Sequence, residues 1–318
     1  MLRRAWQTAM IGLARSARAK RFMQGSRAGS FLARKYVAGQ APADAVSVAG
    51  ELLSRDGIRS SLFYLGEYAD SAQRVTESVA AKLAVAAALG RTVLDVHVSV
   101  DPTQIGQSLD PAMAGGNARR IAEAVWQAAG GRPGAHCAML DMEDASVVDA
   151  TIALHDGLKR EGLPVALTLQ AYLRRTGGDL RRQIAAGSRV RLVKGAFVGA
   201  AGVAYTSQRE IKASYRRLAG LMLAPEARAG GFYPILATHD DALHAFAIET
   251  ARRNGWRPGE YEFEMLLGVR MAAARDLARR GERVRLYLPF GRDWWPYAVR
   301  RIGENPRNAL LLARSLVG

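Results

Sequence analysis

The chain has 318 residues, with 45 Lys and Arg against 29 Asp and Glu, a formal charge of +16. That length suits one large α/β domain with an appendage or two small domains, and a hydrophobic share of 49 % excludes wholesale disorder. A single cysteine, Cys137, excludes an intrachain disulfide framework, and no Cys/His cluster stands at metal-ligand spacing, so no metal site is expected.

Residues 1–43 hold nine Lys or Arg and no acid, more than half of the charge excess. Leu2, Trp6, Met10 and Leu13 fall on one helical stripe, with Arg3, Arg4, Arg15 and Arg18 mostly elsewhere, a basic amphipathic pattern. Three readings compete for this arm: a helix packed on the main domain, a helix lying on an anionic membrane surface, or a transit peptide. No run approaches the ~18 uninterrupted apolar residues of a bilayer-spanning helix. No aromatic–basic groove motif supports nucleic-acid binding. The arm ends at the turn signal Gly39-Gln40-Ala41-Pro42, which places the domain boundary at residues 43/44.

Beyond it, short apolar runs alternate with longer amphipathic segments. Strands are expected at Ser61–Gly66, Thr92–Val100, His136–Met142, Pro164–Gln170, Arg189–Gly195, Tyr233–Thr238, Tyr261–Leu267 and Val284–Pro289. Helical periodicity fills Ser71–Leu89, Gly116–Ala129, Val147–Glu161, Leu180–Ala186, Ser207–Leu223, Ala242–Asn254 and Val269–Arg280, with a last helix at Trp295–Glu304. Eight strands, each followed by a helix, is the count that closes a (β/α)8 barrel, and near-continuous apolar strands suit a parallel sheet covered by helices. The rival, an open doubly wound sheet, lacks its glycine-rich turn after the first strand, where the chain has Tyr64-Leu65-Gly66-Glu67-Tyr68. No Walker A sequence occurs.

In such a barrel the chemistry lies at the C-terminal strand ends. There the polar residues gather: Asp141 and Asp144 after strand three, Gln170 at strand four, Arg191, Lys194 and Gly195 on strand five, Thr238 and His239 at strand six, Glu262 and Glu264 on strand seven, and Tyr287 on strand eight. Arg300 and Arg301 follow on the last helix, where two adjacent guanidiniums suit a carboxylate clamp, against the bland reading of a solvated helix face. Asp144 has a helix cap as its bland role, His239 that of a loop histidine, and Cys137 that of a small buried hydrophobe. Arg191 and Lys194 in an apolar strand each require an anion, from Glu262, Glu264 or a cofactor phosphate.

These motifs resemble the proline dehydrogenase family. Arg191-Leu-Val-Lys194-Gly195-Ala-Phe197 is similar to its strand-five flavin motif, Ala237-Thr238-His239 to strand six, and Glu262-Phe-Glu-Met-Leu266-Leu-Gly268 to strand seven. Arg285-Leu-Tyr287-Leu-Pro289-Phe-Gly291 and Tyr297-Ala-Val-Arg300-Arg301-Ile-Gly-Glu304 resemble the final strand and helix. Leu140-Asp141-Met-Glu143 and Leu169-Gln170-Ala-Tyr172 fit as well, so the likeness runs from about Leu62 to Asn308.

The resemblance implies FAD on the barrel mouth. It implies Gln170 and Arg191 at the isoalloxazine and ribityl region, with Lys194, Gly195, Phe197, Thr238 and His239 also at the cofactor. It further implies Arg300 and Arg301 on the substrate carboxylate, Tyr287 against the substrate ring, Leu266 lining the pocket, and Asp141 and Glu304 orienting the arginines. Hydride would pass from proline to FAD N5, giving Δ1-pyrroline-5-carboxylate, and electrons would go on to a quinone. That sets the expected location as cytoplasmic with peripheral contact at the inner membrane, or mitochondrial if residues 1–43 are a transit peptide. The chain departs from the family in Val98-Ser-Val-Asp101-Pro102-Thr103-Gln104, where Asp101 stands in place of a lysine near the substrate carboxylate. Phe197 replaces a usual tyrosine, and Val198 stands where some members stack a tryptophan. Asp101 opens a second reading, oxidation of another cyclic amino acid or amine. A third is a non-catalytic basic module bound to membrane or nucleic acid.

Overall fold

The computed structural model describes residues 26–66, 69–195 and 199–304, together with Ser16 and Arg21. The amphipathic stripe expected between Leu2 and Leu13, and Phe197 and Val198, lie outside the described residues, as does the side chain of Glu304. Eight parallel strands close into a barrel in chain order, β1 to β8. They are β1 Arg59–Tyr64, β2 His97–Val100, β3 Cys137–Leu140, β4 Val165–Gln170, β5 Arg189–Val193, β6 Tyr233–Ala237, β7 Glu262–Leu266 and β8 Val284–Phe290. Closure is made by β8 against β1, from Arg59 opposite Arg285 to Tyr64 opposite Phe290. Helices cover the outer faces, so strands such as β4, Val-Ala-Leu-Thr-Leu-Gln, are buried along their whole length.

The expected (β/α)8 architecture is therefore the observed one. Around the barrel, the described helices are α1 Arg27–Tyr36, α2 Pro42–Asp56, α3 Ala72–Gly90, α4 Pro111–Ala129, α5 Val148–Arg160, α6 Thr176–Ala185, α7 Gln208–Met222, α8 Pro225–Ala229, α9 Asp241–Arg253, α10 Met271–Arg279 and α11 Trp294–Glu304. Their starts follow capping chemistry. The Asp110 side chain accepts from Ala112 N–H and Pro111 occupies the first turn, so α4 begins before the expected Gly116. Asp144 caps as foreseen, accepting from Ser146 N–H at 2.8 Å. The expected strand Thr92–Val100 shrinks to its last four residues. Thr92 instead builds a turn, donating to Leu89 O and accepting from Leu94 N–H.

The boundary expected at residue 43 falls in the first turn of α2. Tyr36 and Val37, at the end of α1, already pack with Trp294, Trp295, Ala298 and Val299 of α11 and with Phe63 and Leu65 at the end of β1. Ala38 N–H donates to Pro289 O at 2.7 Å, and Gly291 N–H to Gly39 O at 3.0 Å. α1 and α2 are thus part of the barrel's own packing. Among the described residues no helix is long and apolar enough to cross a membrane.

The lower barrel interior is charged but closed on itself. Arg285, wholly buried, reaches Glu262 at 2.7 Å and Asp95 at 2.9 Å and donates to Ser60 O. Arg59 adds a second ion pair to Asp95. Two guanidiniums face two carboxylates, the condition for keeping charge in a low-dielectric interior. Toward the C-terminal strand ends, Gln170 Oε1 and Glu264 Oε2 are buried without a hydrogen-bond partner among the described residues.

Candidate active site

Arg191 is the centre of the upper layer. It projects from the middle of β5 and is 4 % exposed. Its guanidinium donates to Glu264 Oε1 at 2.9 Å, to Asp141 Oδ1, and to Thr168 Oγ1. Sequence reasoning required an anion for this cation. Glu264 is one it named, and Asp141 is a second. Glu262, the other acid of β7, serves Arg285 instead.

Asp141 presents its second oxygen to the Tyr287 hydroxyl, which donates at 2.9 Å. The Arg191 guanidinium lies 5.4 Å from the centre of the Tyr287 ring, and Phe63 packs that ring from another side. Leu266 stands opposite Tyr287 in the β7–β8 register and is half-buried. Asp141 was expected to orient the arginines of α11. Among the described residues its hydrogen-bond partners are Arg191 and Tyr287. Arg300 is exposed and Arg301 partly so, both on α11 where it follows β8.

The rim of β4, β5 and β6 has a different character. Gln170 ends β4, where its amide donates to Met142 O and Glu143 O at 3.0 Å each. Its Oε1 is buried and accepts no hydrogen bond among the described residues. Lys194 pairs with Asp240 at 3.3 Å, and Lys212 from α7 meets the same carboxylate at 2.8 Å. Gly195 has φ +98°, and a Cβ there would meet Tyr172 Cδ1 at 2.2 Å, so the backbone runs close under the rim where only glycine fits. Thr238 is buried, with its hydroxyl accepting from Asp240 N–H.

His239 Nε2 accepts from Leu266 N–H at 3.0 Å. Burial, then the nearby Arg301, hold its pKa down at about 4, so the ring is neutral at pH 7 and carries its proton on Nδ1 as a donor.

At the β2 and β3 ends lies a cluster that sequence reasoning caught only in part. Lys82, on α3, is fully buried. It donates to Ser78 Oγ and Gln104 Oε1, both at 2.7 Å, and stands 5.6 Å from the Tyr64 ring centre. Glu143 accepts from Thr103 N–H and from Thr103 Oγ1. Asp101 follows β2 and precedes the turn Pro102–Ile105. Lys82 escaped notice, although its phase with Val75, Ser78, Val79 and Leu89 on the buried stripe of α3 was available as a signal.

The mouth thus offers two kinds of surface. One side presents arginines beside an aromatic ring and a half-buried leucine, suited to a small ring compound bearing a carboxylate. The other presents an unpartnered amide oxygen, a neutral imidazole donor, a lysine and a glycine cradle, a donor set that fits a flavin with its phosphates.

The sequence profile of the family described as Proline dehydrogenase matches residues 47–314. The chain is 34 % identical over 291 residues to Proline dehydrogenase from Deinococcus radiodurans, covering 90 % of each chain. It is 31 % identical over 285 residues to Proline dehydrogenase 1 from Bacillus subtilis, again covering 90 % of each. Among solved structures it resembles proline utilization A (PutA) from Bdellovibrio bacteriovorus inactivated by N-propargylglycine, at TM-score 0.76 and 21 % identity over 89 % of this chain. It also resembles PutA from Corynebacterium freiburgense, at TM-score 0.75 and 21 % identity over 98 %. The chain spans about a third of those longer proteins, 35 % and 34 %, and the likeness to them is one of fold. With the matched profile covering most of the chain and full-length relatives above 30 % identity, this protein belongs to the proline dehydrogenase family of oxidoreductases.

Proposed function

We propose that the protein oxidises L-proline to Δ1-pyrroline-5-carboxylate, with FAD as the bound cofactor and a quinone as the final acceptor. The observation that carries this reading is the Arg191–Asp141–Tyr287 constellation beside the α11 arginines, a ring-and-carboxylate site on a barrel mouth. Gln170, Arg191, Lys194, Gly195, Thr238 and His239 would hold FAD, and Phe197 belongs with them on the motif alone. When bound, FAD supplies the two-electron acceptor for the hydride leaving the ring carbon beside nitrogen.

The protein's share is placement and electrostatics. Arg300 and Arg301 would clamp the carboxylate, with Glu304 from the same helix orienting them. Tyr287 and Leu266 would hold the ring flat, and Asp141 would keep the Tyr287 hydroxyl and the Arg191 guanidinium fixed. Tyr287 brings a bulky ring to the substrate face, which favours an unsubstituted proline ring. The reaction removes one hydride from carbon and one proton from nitrogen.

Membership of an oxidoreductase family stands against the non-catalytic basic-module reading. A second substrate reading, another cyclic amine, is supported by Asp101 at the mouth. Residues 1–43 add a basic arm that would bring the enzyme to a membrane quinone from the cytoplasmic side, or serve as a mitochondrial transit peptide. The test is anaerobic titration of the purified, flavin-loaded protein with L-proline. Bleaching of the visible flavin band supports the reading. A bound flavin that proline leaves oxidised while a different cyclic amine bleaches it overturns the substrate.

A further inference from the structure

Asp101 sits at the junction of β2 with the turn Pro102–Ile105, partly exposed to the barrel mouth. Charged and titratable groups face it from five elements: Lys82 of α3, Glu143 after β3, Arg191 of β5, Tyr287 of β8 and Arg300 of α11. Two of these carry their own hydrogen bonds. Glu143 is satisfied by both donors of Thr103, and Lys82 donates to two neutral oxygens and forms no ion pair within 4.0 Å among the described residues. The Asp101 carboxyl accepts no hydrogen bond from any described residue. It only closes the turn through its backbone, where Gln104 N–H donates to Asp101 O.

An acid left without a donor beside a second acid, with one buried lysine facing both, holds a proton readily. Burial and the Glu143 charge push the Asp101 pKa up to about 7, with Lys82, Arg191 and Arg300 opposing, while burial brings Lys82 down to about 8. A carboxylate brought to Arg300 approaches Asp101 as well. An ionised Asp101 repels it. A neutral Asp101 has an O–H to donate.

We propose that Asp101 is an affinity-determining residue that receives the substrate carboxylate as a neutral acid, donating a hydrogen bond to it beside Arg300, so that the substrate binds together with one proton from solvent. Lys82 is a positioning residue. Its ammonium favours the ionised acid and so sets the pH at which the proton must be taken up. The inference rests on the proposed reading of the mouth as a ring-carboxylate site.

The experiment uses the flavin-loaded protein and cyclopentanecarboxylate, a ring carboxylate without an amine. Binding is followed by calorimetry at pH 8 in buffers of different ionisation enthalpy, which counts protons taken up per molecule bound. Uptake approaching one proton is expected, with affinity falling about tenfold per pH unit once Asp101 is ionised in the free protein. Asp101→Asn, neutral and still a donor, should bind with proton uptake well below one and without the tenfold fall in affinity per pH unit, keeping only the shallow dependence that titration of Lys82 near pH 8 imposes. Lys82→Met should move the affinity transition to higher pH. Zero uptake by the unaltered protein overturns the proposal whether or not the variants fold. Wild-type pH dependence retained in Asp101→Asn does so too. Binding of pyrrolidine, an amine without a carboxylate, that is lost in Asp101→Asn would mean that ionised Asp101 holds the amine, and the proposal would fall. Proline reduction of the flavin is read separately, so failure of the substrate reading and failure of the Asp101 inference are distinguishable.

Discussion

Asp141 joins Tyr287 to Arg191: one carboxylate oxygen accepts the tyrosine hydroxyl at 2.9 Å and the other takes the guanidinium. This bond fixes the ring against which the substrate is proposed to lie. Tyr287→Phe keeps the ring and removes a hydrogen bond to a charged group, worth about 1.5–3 kcal/mol of stability. The melting temperature should fall by a few degrees, and flavin reduction by proline should slow by roughly tenfold as the ring loses its anchor. Stopped-flow reduction and a thermal melt check the two halves.

Arg191 holds two carboxylates in the barrel interior. Arg191→Met leaves Asp141 and Glu264 buried without their cation, and breaking a buried pair from one side costs about 3–5 kcal/mol. Chemical denaturation should show a loss of that size together with loss of bound flavin. Arg191→Lys should recover little, since one ammonium cannot reach Thr168, Asp141 and Glu264 at once.

His239 gives a pH dependence with a definite sign. Its pKa falls from 6.5 to about 4 on folding, so the unfolded chain takes up the proton first as pH drops. Its contribution to stability is therefore full above pH 6.5, declines as pH falls towards 4, and is constant below, with a total of up to about 3 kcal/mol. Protonation also removes the acceptor for Leu266 N–H. The slope of unfolding free energy against pH between 6.5 and 4 should be shallower in His239→Asn. An unchanged slope would show that the ring already titrates normally in the fold.

Cys137 is wholly buried in β3, and burial pushes its thiol pKa up. The native protein should resist a thiol-labelling reagent over hours and react stoichiometrically once unfolded. Cys137→Ala should leave proline-dependent flavin reduction intact.

The barrel was legible because its strands are apolar runs spaced by helical periodicity. α2 was not. Its buried face is built of Ala45, Ala49 and Leu52, too small to stand out as an apolar stripe beside Val46 and Val48. Partner choice was also beyond a one-dimensional reading. Glu262 and Glu264 share a strand face, yet stagger puts them in different barrel layers, one serving Arg285 and the other Arg191. Which acid meets which guanidinium depends on the register across β7, β8 and β5, and no single strand encodes it. Lys82 was overlooked because a lysine in a helix ordinarily faces solvent.

Closure of the barrel through β1 and β8, with Ala38 bonded to Pro289 and Gly39 to Gly291, ties the two ends of the chain to each other. During synthesis the hydrogen-bonding edge of β1 emerges long before β8 exists. At ribosomal speeds of roughly 5–20 residues per second, that edge waits on the order of tens of seconds for its partner. The nascent chain therefore passes through a long interval as an incomplete sheet with an open β1 edge, a template for wrong pairing until β8 arrives.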